Sequence, residues 1–190
     1  MGDSTAIWFF QVHGPTLRVI DHYENAGYSA AHYVEMLEAK GYRYGEDYLP
    51  HDARVREWTN TGKGAFAKSR METLLDLKRR PRIVPAHKLE DGINAVRVTL
   101  GRCVFDAGRC ADGLEALRQY RADYDELTKA FRDRPKHDWT SHTADAARYM
   151  AMAWKEMIAE PPPKPVETQG IRDMTFDQLM AGQRRKRERV

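Results

Sequence analysis

A chain of 190 residues with 42% hydrophobic and 31% charged residues is long enough for one globular domain with a real core plus a tail. Its formal charge of +3 is carried by the C-terminal run 184–189, where five basic residues outweigh Glu188, so the body is close to neutral and any nucleic-acid contact there must use a local stripe. No apolar run has the roughly 18–20 residues of a membrane span, and Cys103 and Cys110 have neither the spacing nor the neighbouring histidines of a zinc site or disulfide framework. The expectation is an unprocessed protein of a reducing cytoplasm.

Thr5 to Val12 is rich in β-branched and aromatic residues, and Trp8-Phe9-Phe10 suits a strand buried on both faces. His13-Gly14-Pro15 signals a turn, and Thr16 to Tyr23 resumes an extended pattern, which predicts an antiparallel hairpin. Ser29 can cap a helix running through Lys40, with Tyr33, Val34, Met36 and Leu37 inward and Gly41 ending it. Tyr48-Leu49 before Pro50 predicts a strand whose C-terminal end carries His51 and Asp52. A helix over Ala65 to Lys78 and a short β-like segment at Arg82–Pro85 follow, so helix and strand alternate as in a mixed α/β sheet. From Lys88 to Met157 the pattern predicts a largely helical stretch broken at Gly108 and near Arg134-Pro135. Trp139 and Trp154, amid small apolar neighbours, are expected to anchor the core.

Pro161-Pro162-Pro163-Lys164-Pro165 cannot continue a helix, which divides the chain into a domain at 1–158 and a Pro-rich linker with basic tail at 159–190. Within the tail, Thr175 and Gln178 have capping-box spacing before a helix that ends in the basic run. That run is either a partner-binding element or a solvated basic end. No G-x-x-x-x-G-K-[ST] loop occurs, since Gly62-Lys63-Gly64 lacks the spacing, so no phosphate-binding loop of the ATPase kind is present.

Two segments carry candidate chemistry. Leu49-Pro50-His51-Asp52-Ala53-Arg54 presents an acid and a histidine at a strand end. In His137 to Tyr149, a cap at Ser141 would put His142 and Asp145 at i and i+3 on one helix face, able to reach one ion. Magnesium and manganese take such oxygen ligands, and a two-ion site supports phosphodiester hydrolysis. The plainer alternative is that Asp52 is a turn residue and that the His-Asp pairs satisfy backbone donors. Arg54, Arg56, Lys63, Lys68 and Arg70 form either a phosphate-contacting stripe or a solvated face.

Leu49-Pro50-His51-Asp52-Ala53, Asp91 to Arg97, Gly113 to Tyr120 and His137 to Tyr149, together with the opening Gly2 to Phe9, resemble, in order over residues 2 to 157, the nuclease domain of phage terminase large subunits. The resemblance implies a ribonuclease H-like mixed sheet flanked by helices, a two-metal Mg²⁺ or Mn²⁺ site, and cutting of double-stranded DNA concatemers. It also implies the packaging ATPase domain, the small terminase subunit and the portal as partners. Asp52 falls on the family's fourth-strand acid and Asp145 on its last-helix acid. His142 matches an assisting position, His51 and Asp138 are accessory at most, and a cap or ion pair is the plain role of Asp138. The family's first strand and its acid have no counterpart, and Asp3 matches a later aspartate that leans toward the site. A start placed downstream, a prophage remnant and a strand supplied by a partner all remain open, as do an inactive fragment that binds DNA or packaging partners and a resolvase- or exonuclease-type enzyme of the same fold.

Overall fold

The computed structural model describes residues 4–55 and 68–159, apart from a few side chains. The described residues form a mixed α/β fold of five α-helices and seven strands in three small sheets. The predicted hairpin is β1 (Ser4–His13) and β2 (Thr16–Ala26), paired antiparallel from Ser4↔Ala26 to His13↔Thr16. Gly14, at φ +56°, supplies the left-handed first residue that a two-residue hairpin turn needs, and Pro15 fixes the second. Ile20 is an extra residue on β2, because Phe9 pairs with Asp21 while Phe10 pairs with Val19. This bulge explains why the apolar residues of β2 fall out of phase at Ile20.

α1 (Ala30–Ala39) follows Ser29, whose hydroxyl makes no capping bond, and buries Val34 and Leu37. Tyr33 and Met36 are half-buried, and Gly41 ends the turn at φ +68°. β3 (Asp47–Leu49) pairs parallel with β4 (Pro81–Ile83), and the Arg79 guanidinium forks onto Asp47 at 2.8 and 2.5 Å. Between these strands α2 (Arg70–Asp76) starts later than the predicted Ala65. Ser69 and Glu72 close a reciprocal capping box, the Ser69 hydroxyl accepting the Glu72 N–H and the Glu72 carboxylate accepting the Ser69 N–H.

The stretch predicted as largely helical carries three helices but also three strands that the pattern did not show. After α3 (Leu89–Leu100), β5 (Cys103–Phe105) joins β2 in parallel, giving the sheet order β1-β2-β5. After α4 (Ala111–Gln119), β6 (Ala122–Asp125) and β7 (Ala130–Pro135) form a separate antiparallel hairpin. Its turn is set by the Asp125 carboxylate, which accepts the N–H groups of Leu127 and Thr128, and by Lys129 at φ +50°. Helical structure returns in α5 (Ser141–Ala159).

α5 lies across β1 and β2 and closes a core of Trp8, Leu17, Val19, Cys110, Ala147, Met150 and Trp154. Small residues let α4 approach equally closely: a Cβ on Gly113 would stand 2.4 Å from Trp8 Cη2 and 2.6 Å from His22 Cγ. Trp154 is a core residue as expected, whereas Trp139, two residues before α5, is 51% exposed because it precedes the helix and misses its inner face. Burial pushes the Cys103 and Cys110 thiols up to about 11, which holds both as unreactive thiols. No described helix is long and apolar enough to cross a membrane. The Pro-rich linker, Thr175, Gln178 and the basic tail lie outside the described residues.

Candidate functional site

Two structural devices position the candidate acids. Pro50 ends β3 in extended geometry and opens a 3₁₀ turn, His51–Arg54, that lifts Asp52 off the strand end. The second device is the start of α5. The Asp138 carboxylate accepts the N–H and hydroxyl of Thr140 at 3.0 and 2.7 Å, and Ser141 Oγ accepts the Asp138 N–H at 2.9 Å. Asp138 therefore closes a turn that leads into α5, and the Thr140 hydroxyl bond holds its carboxyl below the usual range. The expected cap by Ser141 is not formed: Ser141 is the first residue of α5, and its hydroxyl accepts the Asp138 N–H and donates to the Lys136 carbonyl instead of accepting a helix N–H.

Thr143 then pins α5 to the sheet. Its carbonyl accepts Trp8 Nε1–H at 3.1 Å, and its hydroxyl donates to Glu24 Oε2 at 2.6 Å. Because that hydroxyl proton is committed, the 2.9 Å contact with His22 Nε2 requires His22 to donate, which puts a proton on Nε2. Burial lowers the His22 pKa from its ordinary value, more than Glu24, Asp112 and Asp21 raise it, in agreement with a neutral ring.

With α5 so placed, His142 and Asp145 face the same cleft as His51 and Asp52, and Lys68 and Arg70 line it too. Tyr149, one helical turn beyond Asp145, lines the same cleft, and its hydroxyl is 3.3 Å from His51 Nδ1. Burial first, then the negative charges of Asp52 and Asp145, raise its phenol above the ordinary range. Arg148 is ion-paired to Asp145, and Arg70 approaches Asp52 at 4.0 Å. Among the described residues no three His, Cys, Asp or Glu side chains converge closely enough to hold a metal ion. Asp3, Arg56 and Lys63 lie outside the described residues, and Arg54 is exposed but does not line the cleft. Lys68 is drawn to Asp76 at 2.5 Å.

The residues that the sequence argument passed over are Tyr149 and Arg148. Both sat in the motif around Asp145, and the i+3 and i+4 spacing placed them within reach of it. Comparison with family models, with curated proteins and with solved structures gives no match for this chain.

Proposed function

We propose that this chain is a divalent-metal-dependent endonuclease domain of the phage terminase large-subunit kind, ribonuclease H-like in fold, which cuts double-stranded DNA concatemers during genome packaging. The observation that carries the reading is that Asp52 and Asp145, from distant parts of the sequence, line one cleft with a phenol that both their charges act on. The mixed α/β character of the described residues, with parallel and antiparallel pairing and a long last helix, is compatible with the mixed sheet flanked by helices that the resemblance implies. In this role the chain works in the cytoplasm of a bacterial host beside the packaging ATPase domain, the small subunit and the portal.

The carboxylates are oxygen donors of the class Mg²⁺ and Mn²⁺ take. The fit is partial, since two acids without a third ligand among the described residues make an incomplete site. Such ions, when bound, activate water and stabilise the departing oxygen. The chain's own contribution is positional: Asp52 and Asp145 hold the cation, Arg148 orients Asp145, and Arg70 and Lys68 offer charge to the phosphates. Plasmid nicking with manganese tests this. Asp52→Asn and Asp145→Asn should each abolish cleavage, and nicking that survives both substitutions refutes the assignment.

The incomplete ligand set favours one other reading, a non-catalytic module that binds DNA or packaging partners. Calorimetry separates the two. A module of this kind gives no saturable heat with Mg²⁺ or Mn²⁺, whereas a site that assembles does.

A further inference from the structure

His51 and Asp52 share the 3₁₀ turn that follows β3, yet the nuclease reading gives a role only to the acid. The His51 ring is exposed and lines the cleft, and its Nδ1 stands 3.3 Å from the Tyr149 hydroxyl. The two nitrogens of a neutral imidazole differ, because one carries hydrogen and donates while the other accepts. Which nitrogen does which decides what the ring can bind.

Tyr149 makes that choice. A phenol keeps its proton at neutral pH and donates it to a nitrogen base. Donation to Nδ1 makes that nitrogen the acceptor and places the imidazole hydrogen on Nε2. A ring so arranged does not ligate a cation, since its accepting nitrogen is taken and the other carries hydrogen. It can donate through Nε2 to an anionic oxygen. Lys68 and Arg70 line the same cleft, with Arg70 4.0 Å from Asp52, so the surroundings suit a phosphate.

The Tyr149 ring is itself braced. His87, in the loop between β4 and α3, meets it edge to face, with ring centroids 5.1 Å apart at 69°. His87 Nδ1 donates to the Pro85 carbonyl at 3.1 Å, which fixes the imidazole. Gly92 on α3 makes the room, since a Cβ there would stand 2.9 Å from His87 Nε2. A line of contacts therefore runs from α3 through His87 and Tyr149 to the turn that carries Asp52.

We propose that Tyr149 positions His51 to donate its Nε2–H to a phosphodiester oxygen of the substrate, beside Asp52. The identity of the substrate rests on the nuclease reading, whereas the tautomer is a property of the free protein.

Nitrogen–hydrogen correlation spectra of the imidazoles read the tautomer in the full chain, in buffer well above the ordinary imidazole pKa of about 6.5. The expected spectrum shows His51 in the Nε2–H form. Tyr149→Phe, which keeps a ring against His87, should return His51 to a mixture of tautomers. An Nδ1–H form in the unaltered chain, or the same His51 signals in both proteins, overturns the proposal. The second arm is a double-mutant cycle on the binding of a short fluorescein-labelled DNA duplex, followed by anisotropy with Ca²⁺ present. His51→Ala should weaken binding about tenfold, the effect of one hydrogen bond to a charged group. Tyr149→Phe should weaken it about threefold and add nothing once His51 is replaced. Independent losses from the two substitutions, as separate structural roles would give, overturn the proposal, and so does a duplex that does not bind. Plasmid nicking keeps the two readings apart. Coupled binding without nicking upholds the His51 contact and sinks the nuclease, whereas nicking without coupling does the reverse.

Discussion

Gly113→Ala tests the packing of α4 against the hairpin, because helix propensity and packing give opposite signs. In isolation the change should stabilise α4 by about 1 kcal/mol. Here the new methyl would stand 2.4 Å from Trp8 Cη2, short of an ordinary carbon contact by more than about 1 Å. Trp8 cannot simply rotate away. Its Nε1–H is bonded to the Thr143 carbonyl, and its ring stands 4.4 Å from His22 and 6.0 Å from Phe105. Either α4 lifts from the sheet, at an overpacking cost of about 1–3 kcal/mol, or Trp8 gives up its hydrogen bond, at about 1 kcal/mol. Set against the propensity gain, the overpacking route nets a loss of about 1 kcal/mol, which lowers the urea midpoint followed by tryptophan fluorescence by about 0.5 M. Gly101→Ala is the control: φ is −63° there and the nearest contact, to the Val98 carbonyl oxygen, is an ordinary 3.7 Å, so the midpoint should hold or rise. A Gly113→Ala midpoint equal to or above that of the unaltered chain refutes the packing argument.

Lys40→Met strands the buried Asp21 carboxylate, which keeps only the Tyr42 hydroxyl and its neighbour's N–H as partners. It should cost about 3 kcal/mol in urea melts, and adding Asp21→Asn should recover part of that. Because the folded-state pKa of His22 is lowered, the unfolded chain binds the extra proton. The His22 contribution is therefore fully present above its unfolded pKa of about 6.5 and lost as pH falls through the folded value. His22→Gln should flatten the stability-against-pH curve in that acidic window, and an unchanged slope there would contradict the neutral-ring assignment. Asp138→Ala removes both bonds to Thr140 and should destabilise the start of α5 by about 1 kcal/mol, measurable as faster amide exchange in its first turn.

The parts legible in the sequence were those where local chemistry and tertiary setting agree. The aromatic run closed by Gly14-Pro15 could only be a hairpin, and Gly41 at positive φ stops α1 where it was expected to stop. β5 was hidden because three residues between helices carry no periodicity, and only pairing to Leu17–Val19 makes them a strand. β6 and β7 were hidden for another reason. Their exposed Tyr124 and Phe131 alternate with charged residues at too short a range to override the helix-forming composition around them. Trp139 shows the limit of composition as a guide to burial, since its small neighbours in sequence belong to a helix that begins after it. At the site, the resemblance singled out Asp52 and Asp145, which both line the one cleft, but their pairing to Arg70 and Arg148 depends on side-chain reach that no spacing rule supplies.

The Thr143 anchor has a mechanical consequence. Asp145 lies two residues past a point where three elements are bolted together, so α5 behaves as a lever with its fulcrum beside the acid and a distal arm that the core holds through Ala147, Met150 and Trp154. Bending or sliding of the distal arm is attenuated at Asp145, whereas a small shift of the hairpin at Trp8 or Glu24 is transmitted to it almost undiminished. Substitutions that disturb the carboxylate without touching it should therefore cluster in β1 and β2, not in the far turns of the helix that carries it.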